Sequence, residues 1–237
     1  MLQKSVVSVN PVERIKKFLQ GSNVEDMTFD NLEVELWEAS PWRPLEDWRV
    51  DSIMLLAGCY YAEDKINIVT EHSEDGKPKG FGLTMDRDSW MREIRDNGAP
   101  QNKAGAWVRM NPVDGKGIAD CNVTTFRFTL LEFDDVPLEL QLALLMKLRL
   151  PVAAILTSGG KSAHAWVRVD AKDAETYRET VREILTLLAR FGIDQANKNP
   201  SRLSRLVGAQ RNIGAQGDGR QRLLYLNPDV SEWREIL

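Results

Sequence analysis

Cysteine and histidine are nearly absent. Cys59 and Cys121 stand far apart without a CxxC partner, and His72 and His164 are the only histidines. That scarcity argues against a structural zinc site, which takes four such ligands. Long apolar runs are missing as well: none approaches the roughly 20 residues a membrane-spanning helix needs. The opening Met-Leu-Gln-Lys-Ser-Val-Val-Ser lacks the apolar core of a secretory signal. The chain therefore reads as cytoplasmic, with no membrane partner. There is no GxSxG elbow, so Ser162 and His164 on one short strand make a poor hydrolase triad. Repeats and low-complexity linkers are lacking too.

What remains is ordinary globular composition, 237 residues that are 43% hydrophobic, enough for one large domain or two small ones. The net charge of -4 argues mildly against a nucleic-acid binder, but its distribution is uneven. Residues 198–222 carry Lys198, Arg202, Arg205, Arg211, Arg220 and Arg222 against Asp218 alone. This stretch is either built for anions or is a solvated basic loop.

Local signals order the chain. Asn10-Pro11 with Glu13 predicts a short helix bearing Ile15, Phe18 and Leu19. Residues 28–48 are ambiguous between strand and helix, and Trp37, Trp42 and Trp48 among them suit either a core or base stacking. A buried helix from Asp51, a strand over Lys65–Thr70, a long-tipped hairpin returning through Gly80–Thr84 and a helix capped by Asp86 form a first α/β lobe. After a strand at Ala106–Met110, the order is strand (121–134), helix from Pro137, strands at Val152–Leu156 and Ser162–Asp170, helix after Asp173, and strand at Leu223–Leu226. That order is the order of an RRM-like α+β sheet.

Three constellations carry chemistry. Leu130-Leu131-Glu132-Phe133-Asp134 ends an apolar run with carboxylates two residues apart, and such residues share one face of a strand. The pair is half of a metal site, or a strand running out into an acidic turn. Ser158-Gly159-Gly160-Lys161-Ser162-Ala163-His164 is not a P-loop, because Ile155 stands where the first glycine of GxxxxGK[ST] belongs. It reads instead as a turn exposing backbone N–H groups, with Lys161 at its tip and Ser162 and His164 on one strand face, a shape that could hold a triphosphate. Last, Gly192-Ile193-Asp194 precedes Arg202 and Arg205, one further carboxylate followed by two guanidinium forks for phosphate oxygens.

In that order, the Glu-Phe-Asp pair, the Ser-x-His strand and Ile193-Asp194 with its arginines resemble the archaeo-eukaryotic primase superfamily, in particular primase-polymerases of plasmids, phages and integrated elements. The resemblance covers roughly residues 50–228 and implies an RRM-like catalytic core packed with an N-terminal α/β lobe. It further implies metal-dependent, template-directed nucleotidyl transfer on single-stranded DNA. Glu132, Asp134 and Asp194 would ligate two Mg²⁺ or Mn²⁺ ions. Ser162 and His164 would contact the triphosphate of an NTP or dNTP, and Lys161, Arg202 and Arg205 would neutralise it. Glu132 departs from the commoner Asp, and Val207 from a frequent Pro before Gly208.

The expected organisation is a helical appendage over 1–36 and a catalytic domain over 37–237, its lobes dividing near 115/116. Since only residues 227–237 follow the last strand, initiation is expected to draw on a helicase or a helical primase domain on another chain. The alternative is a catalytically idle replication-initiator module of the same fold.

Overall fold

The computed structural model describes residues 10–20, 27–133 and 135–231. Four of its helices begin where a short polar side chain takes a free first-turn N–H group. Helix α1 (Pro11–Phe18) starts at Asn10, whose Oδ1 accepts the Val12 N–H at 3.0 Å. Helix α2 (Phe29–Ala39) resolves the ambiguous segment: Thr28 caps it, and it buries Leu32 and Leu36. Helix α3 spans Asp51–Cys59. Helix α4 (Arg87–Asn97) is capped by Asp86, which accepts the Ser89 N–H at 2.8 Å, and stops at Gly98. Helix α5 (Leu138–Lys147) follows Pro137. Helix α6 (Ala174–Leu188) is capped by Asp173, buries Tyr177, Val181, Ile184 and Leu188, and passes through one 3-10 turn to Gly192, whose φ of 80° favours glycine.

The strands are β1 (Lys65–Val69), β2 (Leu83–Asp86), β3 (Trp107–Arg109), β4 (Phe126–Glu132), β5 (Val152–Thr157), β6 (Ala163–Ala171), β7 (Leu203–Arg205) and β8 (Leu223–Leu226). They form two four-stranded antiparallel sheets, ordered β2-β1-β3-β7 and β4-β6-β5-β8. The second sheet with α5 and α6 is the α+β run read from the sequence, its last strand lying on the free edge of β5. Strand β7 went unread, and it comes from far downstream to complete the first sheet against β3.

Alternation along the strands decides what faces what. Leu131 and Phe133 join the core made with α1, α2, α5 and α6, whereas Phe128 and Leu130 join the core shared with the first sheet, α3 and α4. Glu132 continues the second series. On β6, Trp166 lies in that same inter-sheet core, and His164 is two residues before it. The site therefore opens between the sheets. Buried Asn111 braces this side: its Nδ2 donates to the carbonyls of Phe128 and Pro200, and its Oδ1 accepts the N–H groups of Arg127 and Phe128.

Candidate active site

A cleft of about 700 Å³ is lined by Glu132, Lys161, Ser162, His164, Asp194, Arg202 and Arg205, and also by Lys77, Arg109 and Arg211. Every site residue named from the sequence is thus brought together except Asp134, which lies outside the described residues.

Glu132 and His164 are paired across β4 and β6, with His164 Nε2 3.3 Å from Glu132 Oε1. The ring's other nitrogen, Nδ1, faces the Ser204 hydroxyl at 3.0 Å and the Arg205 backbone N–H at 3.4 Å. A backbone N–H can only donate, so these partners assign Nδ1 as the acceptor and leave the proton on Nε2, pointing at Glu132. The Ser204 oxygen in turn accepts the Trp166 indole N–H at 2.8 Å. Burial pushes the Glu132 carboxyl up, but the hydrogen bond from His164 and the charge of Arg202 outweigh it and hold the group below the usual carboxylate range.

Asp194 reaches the same place through the backbone. Phe133 and Ile193 form a β-bridge, and the Asp194 N–H donates to the Glu132 carbonyl at 2.9 Å. Its Oδ1 accepts the Ala196 N–H at 2.8 Å, and Arg202 Nη2 stands 3.6 Å from its Oδ2.

The glycine-rich turn is pinned from below. Buried Gln141 donates to the carbonyls of Val136 and Lys161 and accepts the Ala163 N–H at 2.7 Å. Gly159 has φ of 68°, and a Cβ there would meet the Gly219 carbonyl oxygen at 2.4 Å, so only glycine fits. The expectation of freely exposed amides needs correction: the N–H groups of Gly160 and Ser162 both donate to Ser158 Oγ at 3.3 Å. The Ser162 hydroxyl donates to the Phe133 carbonyl at 3.1 Å, while Lys161 sits at the rim, 3.6 Å from Asp135.

The cleft's other three arginines are held by neutral groups. Arg205 Nη1 donates to the Ala104 carbonyl at 2.7 Å, and its guanidinium lies 4.3 Å over the Trp107 ring. Arg109 Nε donates to Asn67 Oδ1 at 3.1 Å and its Nη1 to the Ser201 carbonyl, and Arg211 Nε donates to the Ile213 carbonyl at 2.8 Å. Among the described residues none of the three has an ion-pair partner. Burial presses each toward losing its proton. A guanidinium keeps its charge, so the cleft instead exerts a strong pull on anions.

No protein-family model matches the chain, and no curated protein matches it. Solved structures do. The AEP domain of the cyanophage S-2L primase-polymerase superposes with a TM-score of 0.55 at 19% identity, over 79% of this chain and 95% of that one. This chain has the archaeo-eukaryotic primase fold. The catalytic domain of primase RepB′, solved in complex with initiator DNA, matches with a TM-score of 0.50 at 14% identity, over 76% of this chain and 88% of that one.

On this primase fold, sequence reasoning missed Arg109, Lys77, Ser204, Gln141 and Asn197, and it counted Arg211 only as charge. Asn197 is fully buried, and its Oδ1 and Nδ2 have no hydrogen-bond partner. It nonetheless lies close enough to Glu132 to help hold that carboxyl down. Among the described residues no group of three His, Cys, Asp or Glu side chains converges as a metal site. Glu132 and Asp194 offer hard oxygen donors to the cleft. That donor chemistry fits Mg²⁺ or Mn²⁺ rather than a softer metal.

Proposed function

We propose that this cleft carries out template-directed nucleotidyl transfer, making the chain a DNA primase or primase-polymerase that starts or extends primers on single-stranded DNA. The setting would be replication of a plasmid, phage or other mobile element. One observation carries the reading: two adjacent carboxylates, Glu132 and Asp194, share a cleft with the buried guanidinium groups of Arg109 and Arg205 and the half-buried one of Arg211, and none of these three arginines is ion-paired among the described residues. A nucleoside triphosphate would give these guanidiniums the anionic partner they lack, and divalent cations would bind the carboxylates that His164 and Arg202 now face.

Glu132, Asp134 and Asp194 would hold the Mg²⁺ or Mn²⁺, which when bound activates a primer 3′-hydroxyl and neutralises phosphate charge. Arg205, Arg211 and Lys161 would take the triphosphate oxygens, the two guanidiniums by paired N–H donors and Lys161 as a mobile point charge at the rim. Because the guanidiniums are already fixed by carbonyls and by Trp107, little reorganisation is needed as charge builds on the α-phosphate. His164, donating from Nε2, would keep the Glu132 carboxylate turned toward the cleft, and Ser162 would brace the turn against Phe133.

The test is incubation with single-stranded DNA, labelled nucleotides and Mg²⁺ or Mn²⁺, with and without a primer. Primer-independent products mean primase, and growth only from a primer means polymerase. DNA binding without any incorporation under either metal would replace this reading with that of an idle initiator module.

A further inference from the structure

Beside the cleft lies a second hollow of about 620 Å³, walled by α6 residues Arg178 and Arg182 and by Lys198 and Asn199 from the segment after Asp194. We infer that this hollow is the track for the phosphate backbone of the single-stranded DNA that enters or leaves the cleft, an assignment that rests on the nucleotidyl-transfer reading above.

Four observations carry it. Arg178 and Arg182 are one helical turn apart and exposed, so their guanidiniums stand side by side along the α6 surface. Among the described residues neither they nor Lys198 has an ion-pair partner, although Glu175, Glu179 and Glu183 lie on the same helix. Asp120, the one carboxylate in the wall, is occupied: its Oδ1 accepts from the Ser201 hydroxyl at 2.5 Å and the Ser201 N–H at 3.3 Å. And Asn199 lines both hollows, so the three cations lie on the side of Asn199 away from Glu132 and Asp194, where the next stretch of a strand with its reacting end in the cleft would fall. Cations in a row leading from a catalytic cleft suit a polyanion better than a single small anion, which the cleft's own arginines would capture first.

The experiment uses the full chain and a fluorescent oligodeoxynucleotide, with affinity measured across a salt series. The variant Arg178→Glu/Arg182→Glu is compared with wild type and with the charge-matched Arg92→Glu/Arg95→Glu on α4, both pairs being exposed. The expected result is a salt slope shallower by about 0.7 for each phosphate no longer neutralised, hence about 1.4 for the pair. Affinity at low salt should fall at least about tenfold, and nucleotide KM on saturating primed template should not change. The α4 control should move far less. If the α6 variant keeps the wild-type slope, or weakens no more than the α4 control, the track is refuted while the nucleotidyl-transfer reading stands. If wild type incorporates no nucleotide and binds no single-stranded DNA even at low salt, both fall together.

Discussion

Replacing Ser204 by Ala tests the link between the two sheets and the site at once. The Ser204 hydroxyl accepts the Trp166 indole N–H at 2.8 Å and faces His164 Nδ1 at 3.0 Å, and both Ser204 and Trp166 are fully buried. Without the hydroxyl, the indole N–H becomes a buried donor with no acceptor, a loss of about 1–3 kcal/mol. His164 Nδ1 keeps only the long contact from the Arg205 N–H at 3.4 Å, so the ring is no longer firmly held in one tautomer. With a urea m-value of about 3 kcal/mol/M, a loss of about 2 kcal/mol lowers the urea midpoint by about 0.7 M. The double variant Ser204→Ala/Trp166→Phe removes donor and acceptor together, so its loss should fall short of the sum of the two single losses by about 1 kcal/mol. Nucleotide incorporation should fall about tenfold in Ser204→Ala as Glu132 loses its fixed partner, with little change in DNA affinity. A midpoint indistinguishable from wild type, or strict additivity in the cycle, would refute the account of Ser204 as the acceptor for the Trp166 indole.

Asp194→Asn keeps an acceptor for the Ala196 N–H but loses the charge, so incorporation should drop at least about a hundredfold with the fold intact by circular dichroism. Near wild-type turnover would remove Asp194 from the site. Arg205→Ala should raise the nucleotide KM about 10- to 100-fold, the worth of a charge-assisted contact, and Arg205→Lys should recover only part, since one ammonium cannot both bond the Ala104 carbonyl and present a fork to phosphate. An unchanged KM in the Ala variant contradicts this. Asp51 supplies a pH test away from the cleft: burial raises its carboxyl from 3.8 to about 7, opposed by the Leu223 N–H. The folded chain then holds a proton that the unfolded chain releases, so stability falls as pH rises from about 4 to about 7 and levels off above, by up to about 4 kcal/mol. Urea titrations at pH 5 and pH 8 should therefore show Asp51→Asn gaining on wild type with rising pH, and a constant difference between the two would show that Asp51 does not carry this effect.

Which parts of this protein were legible before folding follows from the range of the forces involved. Asn10, Asp86 and Asp173 mark helix starts because a cap acts on an N–H only two or three residues away, and Gly98 and Gly192 mark ends for an equally local reason. The β4–α5–β5–β6–α6–β8 order could likewise be read from apolar periodicity alone, and the Glu132, Ser162/His164 and Asp194/Arg202 constellations stood out because each is compact in sequence. Strand β7 could not be read: it has three residues and exists only because β3, almost a hundred positions upstream, offers it an edge. The same holds for the single polar residues that complete the cleft. Ser204 matters through Trp166 and His164, Gln141 through a turn 20 residues later, and Arg109 through Asn67 and Ser201. An isolated serine, glutamine or arginine has no periodicity to betray it. Its role is set by which distant donor or acceptor the packed sheets bring within about 3 Å, and that distance comes into being only with the tertiary fold.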